Sequence, residues 1–186
     1  MYGMVNKAIK ACIIDHYNIN TWQEVTKKAQ TTTDEFISME QYPDEDSVAL
    51  VVAGAEVLNK EPGEMLEEIG EYWIEFSLNS DYGDLLRMAG NTLSELLMNL
   101  DNMHVRVGSS FPGLQPPSFW CTNVEKGSLI LHYSSKRPGL AQFVVGLVKG
   151  LASMFSISCT IQQTAFRDQG EDHDEFAVKY SEAPIN

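Results

Sequence analysis

The hydrophobic periodicity of the chain changes abruptly at Pro116-Pro117, and this change does most to limit the folds open to the sequence. Before the two prolines, apolar residues recur every three or four positions, as a buried helix face requires. After them, apolar and polar residues alternate in short runs, which is typical of strands with one buried face. The sequence therefore predicts an α+β fold, with helices in the amino-terminal part and an antiparallel sheet in the carboxy-terminal part.

Cap and turn signals place the predicted elements. Thr21 with Glu24, and Thr92 with Glu95, have capping-box spacing, and residues 125–127 are a hairpin signal. The predicted helices span 4–17, a segment opened by Thr21, 46–58, 63–77, 82–89, 92–107 and about 140–151, and the predicted strands span 118–124, 128–135, 157–166 and 176–180. We expect residues 1–186 to form one domain in two lobes: a helical lobe of about 1–62, and a mixed lobe of about 63–186 with roughly four antiparallel strands and one long helix.

Charge and composition exclude several classes of function. The formal net charge of -13 would repel phosphate backbones and anionic headgroups, so we expect neither nucleic-acid nor membrane binding. The sequence contains no apolar run of membrane-spanning length and no secretion signal, which predicts a soluble cytoplasmic protein. Cys12, Cys121 and Cys159 are far apart and odd in number, which favours reduced thiols over a disulfide framework. The spacing of a zinc motif is missing, and 171–175 is interpreted as a solvated acidic turn.

The run from Leu129 to Arg137 carries the strongest chemical signal. If this run is a strand, Leu129, Leu131, Tyr133, Ser135 and Arg137 share one side of it. That side begins apolar and ends with a phenol, a hydroxyl and a guanidinium, a gradient that suits an apolar ligand with carboxylates at its rim. Haem is such a ligand. The alternative is a strand end that simply runs out into solvent.

His104 is a second candidate ligand-binding residue. It lies four residues after Leu100 on the apolar face of the predicted helix 92–107. A histidine on an apolar helix face is either a core residue or a metal ligand. A haem iron needs one imidazole nitrogen that projects from such an apolar surface. There is no Cys-x-x-Cys-His, so any haem would be held non-covalently.

With these motifs in order, the chain resembles the H-NOX family of haem-dependent nitric oxide and oxygen sensors, and it is similar to the amino-terminal haem domain of the soluble guanylate cyclase β subunit. The matching segments are 1–6 (Met-Tyr-Gly-Met-Val-Asn), 100–104 (Leu-Asp-Asn-Met-His), 111–119 (Phe-Pro-Gly-Leu-Gln-Pro-Pro-Ser-Phe) and the Tyr-x-Ser-x-Arg signature at 133–137. The resemblance covers essentially the whole chain.

The resemblance implies a role for each of these residues. It implies non-covalent ferrous haem b between the two lobes, with His104 as the axial ligand of the iron. Tyr133, Ser135 and Arg137 would hold the haem propionates, and Pro117 would press on the porphyrin and distort it.

The resemblance also nominates a gas-binding pocket. Its candidate residues are Val5, Trp73, Phe143, Val144 and Leu147. Family members that bind oxygen stably carry a tyrosine in the helix after the signature, whereas the sequence has no tyrosine from Ser134 to Phe166. Trp73 and Gln142 remain as possible hydrogen-bond donors to a bound gas.

The sequence therefore predicts a gas sensor without catalytic activity, which binds nitric oxide and carbon monoxide but little oxygen. By the resemblance, nitric oxide breaks the iron–histidine bond and shifts the histidine helix. The signal would pass to a partner such as a histidine kinase, a cyclic-dinucleotide enzyme, a chemotaxis protein or a cyclase. The alternatives are an oxygen-binding haem sensor and a haem enzyme, either a peroxidase or a nitric oxide scavenger. A peroxidase would need a distal base, for which His132 and His173 look badly placed.

Overall fold

The computed structural model describes residues 1–31, 33, 35–81, 83–108 and 113–181. The helices are α1 (Gly3–His16), α2 (Ile19–Ala29), α3 (Asp44–Leu58), α4 (Pro62–Leu78), α5 (Gly83–Arg87), α6 (Leu93–Gly108) and α7 (Ala141–Met154). The strands are β1 (Ser118–Glu125), β2 (Ser128–Ser134), β3 (Cys159–Ala165) and β4 (Asp174–Tyr180). The architecture is α+β, which confirms the predicted fold class. Phe111 and Pro112 of the proline-bearing segment, and the predicted helix start at Tyr82, lie outside the described residues.

The chain divides into two compact units, 1–76 with 142–147, and 77–141 with 148–186. The first unit is helical, and α1, α2 and α3 pack against one another around a buried apolar core. Trp22, Ile9, Ile13, Leu50, Met65 and Ile69 are among its fully buried side chains. Their burial provides the main stabilisation of this unit, at roughly 1.5–3 kcal/mol for each large apolar side chain.

Helices α4 and α7 approach each other closely at two glycines within the first unit. A Cβ atom built on Gly70 would lie 2.2 Å from the carbonyl oxygen of Phe143, and one on Gly146 would lie 2.0 Å from that of Glu67. Both distances are far inside van der Waals contact, so only glycine permits this backbone approach. The crossing fixes where Phe143 and the following residues of α7 lie along α4.

The second unit contains one antiparallel sheet in the order β1-β2-β4-β3. On one face of it, Phe119, Tyr133 and Asp174 form a row across β1, β2 and β4, and all three are buried. On the opposite face the neighbouring row is Trp120, His132 and Glu175. Side chains of successive strand residues point to opposite faces, so the two rows have different environments.

Two local predictions differ from the structure. Helix α2 begins at Ile19, because Asn18 is its N-cap and its side chain accepts a hydrogen bond from the Thr21 backbone N–H at 3.0 Å. The predicted cap at Thr21 was therefore wrong. Strand β2 ends at Ser134, so Ser135 and Arg137 follow the strand instead of continuing its alternation.

The remaining elements agree with the predictions within a few residues. The predicted start of α6 is confirmed, since the Thr92 hydroxyl accepts a hydrogen bond from the Glu95 N–H at 3.2 Å. The three cysteines are free, with no disulfide in the described part of the chain. Among the described residues, no helix is both long and apolar enough to cross a membrane.

Candidate functional site

His104 lies on α6 at the end of its buried face, which contains Leu93, Leu96, Leu97 and Leu100. Its ring is half-buried, and the Nδ1 atom is buried without a hydrogen-bond partner among the described residues. Burial lowers the pKa of His104, and the nearby Asp101 carboxylate opposes this shift only partly. The imidazole is therefore neutral at pH 7, as a metal ligand must be.

Phe119 connects His104 to the sheet. The His104 and Phe119 rings stack with centroids 5.7 Å apart, and Phe119 in turn lies 5.1 Å from the ring of Tyr133. The Asp101 carboxylate accepts a hydrogen bond from the Phe119 backbone N–H at 2.9 Å, which ties α6 to the start of β1. The Phe119 ring is thus next to both His104 and Tyr133.

The residues of the Tyr-x-Ser-x-Arg signature form a compact polar group at the end of β2. The Tyr133 and Ser135 side chains are hydrogen-bonded, and Ser135 Oγ accepts a hydrogen bond from the Arg137 backbone N–H at 3.1 Å. The Arg137 guanidinium donates to the backbone oxygen of Gln115 at 3.2 Å. Burial raises the pKa of Tyr133, while the Ser135 hydrogen bond and the charge of Arg137 oppose the rise. Tyr133 is therefore a neutral hydrogen-bond donor at pH 7.

A second guanidinium, which the sequence did not predict, lies in the same group. Arg167 follows β3 and donates a hydrogen bond to the backbone oxygen of Ser135. Its backbone N–H donates to the buried Asp174 carboxylate at 3.0 Å, which fixes the turn that carries it. Arg137 and Arg167 both influence the titration of Tyr133, so two cations flank this end of the sheet. Phe119 was missed as well, although its place in the β1 alternation could have identified it as buried.

Pro117 immediately precedes β1 and is half-buried. It stands two residues before Phe119 in the same chain segment. It belongs to the unit that also holds His104, Tyr133, Ser135 and Arg137.

The five residues predicted to line a gas pocket all belong to the first unit. Trp73 packs with Phe143 at 6.3 Å between ring centroids. Val5 and Phe143 pack against the buried core, Val144 is buried, and Leu147 is half-buried. Apart from the indole N–H of Trp73, these side chains offer no hydrogen-bond donor.

Gln142, the other donor considered, is exposed. Its Cγ atom lies 3.3 Å from the Cβ position of Gly63, so the side chain runs along the start of α4. The Trp73 ring lies against Phe143 and Phe76 further along that helix. Of the two possible donors, Trp73 is therefore the one beside the apolar residues.

The residues of the second unit fit a haem. His104 offers a neutral imidazole with a buried nitrogen that is unpaired in the described chain. Phe119 adds an aromatic surface next to it, and Tyr133, Ser135, Arg137 and Arg167 supply hydroxyl and guanidinium donors for carboxylates. The donor set matches an iron porphyrin with two propionates better than it matches a bare metal ion.

The chain is similar to a known protein family and to several named proteins. A family model described as "Haem-NO-binding" matches residues 2–163. The soluble guanylate cyclase gcy-31 of Caenorhabditis elegans is 32% identical over 152 residues, which are 82% of this chain and 22% of that protein. The soluble subunit beta-2 of guanylate cyclase from Rattus norvegicus is 35% identical over 91 residues, 49% of this chain and 13% of that protein. The chain thus spans about a fifth or less of the length of these curated relatives.

Solved structures show the same fold at low sequence identity. An H-NOX protein from S. oneidensis in the Fe(II)NO ligation state superimposes with a TM-score of 0.87 at 19% identity, covering 97% of this chain and 99% of that chain. An oxygen-binding H-NOX domain related to soluble guanylate cyclases gives a TM-score of 0.80 at 20% identity, covering 100% and 97% of the two chains.

Proposed function

Since the chain belongs to the haem-NO-binding family, we propose that it is a non-catalytic sensor domain that holds ferrous haem b non-covalently and responds to nitric oxide and carbon monoxide. The observation that carries this proposal is the state of His104. It is a neutral imidazole on an apolar helix face, with a buried nitrogen that no described residue pairs. In this proposal His104 is the axial ligand of the iron.

The polar group at the end of β2 anchors the haem propionates in this proposal. Tyr133 and Ser135 donate hydroxyl hydrogen bonds, and Arg137 donates charge-assisted ones, which are roughly twice as strong as neutral ones. Arg167 adds a second positive charge and orients the Ser135 backbone. Pro117 contributes a rigid ring in front of β1, and we propose that it distorts the porphyrin, because its fixed backbone angle leaves little room to yield.

In this proposal the pocket that receives the gas is lined by five residues, namely Val5, Trp73, Phe143, Val144 and Leu147. When bound, ferrous haem supplies an open coordination position for nitric oxide or carbon monoxide, whereas bound oxygen is held durably only where a hydrogen-bond donor faces it. The chain has no tyrosine between Ser134 and Phe166, and Gln142 lies along the start of α4. Trp73 is left as the single donor among the five, and its ring packs between Phe76 and Phe143.

Helix α6 carries the signal in this proposal. His104 would tie α6 to the haem iron, and α6 is also held through its Leu face and through the hydrogen bond between Asp101 and the Phe119 N–H. A shift of α6 would then pull directly on the start of β1. This gives the chain a two-state element whose equilibrium depends on the bound gas, as a sensor needs.

We propose that the signal passes to a separate partner protein or to another domain. Histidine kinases, cyclic-dinucleotide enzymes, chemotaxis proteins and cyclases are the candidate partners. The relatives that are themselves soluble guanylate cyclases favour a cyclase among them.

The direct test of the proposed haem ligand is His104→Gly. We expect the variant to lose haem during purification and to regain it when free imidazole is supplied, because the small ligand fills the vacated position. His16→Gly is the control, since it makes the same substitution at an exposed histidine on another helix. A His104→Gly protein with the haem content and ferrous spectrum of the wild type would refute the assignment.

A further inference from the structure

A second cluster of ligand-type side chains lies on the sheet face opposite to Tyr133. His132 and Glu175 are direct partners across β2 and β4, and His173 immediately precedes β4. His132 Nδ1 lies 2.9 Å from His173 Nε2 and 3.2 Å from Glu175 Oε1, and His173 Nε2 lies 3.4 Å from the same carboxylate oxygen. Two imidazole nitrogens and one carboxylate oxygen therefore form a nearly equilateral triangle.

We propose that His132, His173 and Glu175 bind a divalent transition-metal ion of the zinc type, at a site separate from the candidate haem residues. In a tetrahedral zinc site with bonds of about 2.0–2.1 Å, neighbouring ligand atoms are about 3.3–3.4 Å apart. The observed edges of 2.9, 3.2 and 3.4 Å are close to one face of such a tetrahedron. Imidazole ligands favour zinc, copper, nickel or iron over magnesium and calcium, which prefer oxygen ligands throughout.

The outer nitrogens of both imidazoles already have partners. His132 Nε2 lies 2.7 Å from the Thr122 hydroxyl, and His173 Nδ1 is hydrogen-bonded to the Asp172 carboxylate. If each outer nitrogen carries the proton and donates it to oxygen, each inner nitrogen directs a lone pair into the triangle. A carboxylate or hydroxyl behind a ligating histidine commonly fixes the tautomer in this way.

The environment suits a site that stays open to solvent. The Trp120 ring lies parallel to His132, at 5.0 Å and 3° between planes, and it also contacts His173 at 4.8 Å. The side chains of His173 and Glu175 are 18% and 33% exposed, so a water molecule can complete the coordination. The net charge of -13 also favours cation binding.

The test is zinc binding by the haem-loaded protein, without an affinity tag and after treatment with a chelator. We expect isothermal titration calorimetry to give one Zn²⁺ per chain at this site. His173→Gln should weaken the binding at least a hundredfold, because it removes a ligand. Asp172→Asn should weaken it about 10- to 100-fold, because it removes only the support behind a ligand. Asp172 is 88% exposed, so its variant folds normally and keeps the test decisive.

A second possible cluster, formed by Cys12, His16 and Glu68, provides the control. His16→Gln should leave zinc binding at the His132 site unchanged. Zinc K-edge absorption should show nitrogen and oxygen ligands without sulfur, since the proposed site contains no cysteine. Wild-type protein that binds no zinc, a sulfur ligand in the spectrum, or equal affinities for the wild type and His173→Gln would each overturn the proposal.

Discussion

Replacement of Arg137 by alanine tests how the polar group at the end of β2 holds its ligand. In the structure the Arg137 guanidinium donates a hydrogen bond to the neutral carbonyl oxygen of Gln115 at 3.2 Å. A hydrogen bond to a charged group contributes about 1.5–3 kcal/mol, whereas a neutral one contributes about 1 kcal/mol. Loss of a propionate contact at Arg137 should therefore speed haem dissociation roughly 10- to 150-fold.

The assay is haem transfer from the purified protein to an excess of apomyoglobin, followed by visible absorption. Arg167→Ala should show a smaller acceleration, because Arg167 acts partly by orienting the Ser135 backbone. Arg87→Ala is the matched control, since Arg87 is an exposed arginine whose ion pair is with Asp84 on its own helix. Equal dissociation rates for Arg137→Ala, Arg87→Ala and the wild type would refute the propionate assignment.

Two further predictions concern the rigid positions of the chain. Pro117→Ala should give a flatter haem in resonance Raman spectra, because alanine relaxes the fixed backbone before β1; an unchanged distortion would leave Pro117 as a stiff turn only. Gly146→Ala should lower the free energy of unfolding by about 1–3 kcal/mol in urea denaturation, because its Cβ would meet the Glu67 carbonyl oxygen at 2.0 Å. Gly108→Ala, where a Cβ meets no described atom within 4 Å, should lose none, and equal stabilities of the two variants would contradict the close crossing of α4 and α7.

Periodicity and turn chemistry predicted most of the secondary structure, because each depends on neighbouring residues alone. The buried row of Leu129, Leu131 and Tyr133 on β2 followed from strand alternation. The N-cap of α2 did not follow, since Asn18 and Thr21 both have cap-forming side chains and only the structure shows which one bonds. The turn after Ser134 was missed because the Ser135 hydroxyl accepts a hydrogen bond from the Arg137 backbone N–H, and this local bond ends the strand.

Sequence motifs could predict which residues are candidates for the sites, but not their contacts with residues distant in sequence. The place of His104 on a helical stripe could be predicted, but its stacking on Phe119 depends on how α6 packs on β1. The approach of His132 to His173 depends on the pairing of β2 with β4, across 41 residues of sequence. The interpretation of residues 171–175 as a solvated turn was wrong for its second half, because β4 begins at the buried Asp174. His173 joins a cluster that no short-range pattern could show.

We expect the ferrous protein to bind nitric oxide and carbon monoxide but to form no durable complex with oxygen. A neutral hydrogen bond contributes about 1 kcal/mol, so Trp73 alone would raise oxygen affinity about fivefold without making the complex persist. The visible absorption spectrum of the reduced protein should change on addition of nitric oxide and of carbon monoxide, and should show only slow oxidation in air. A persistent ferrous–oxygen spectrum with split visible bands would show that the protein is an oxygen binder and would contradict the claim.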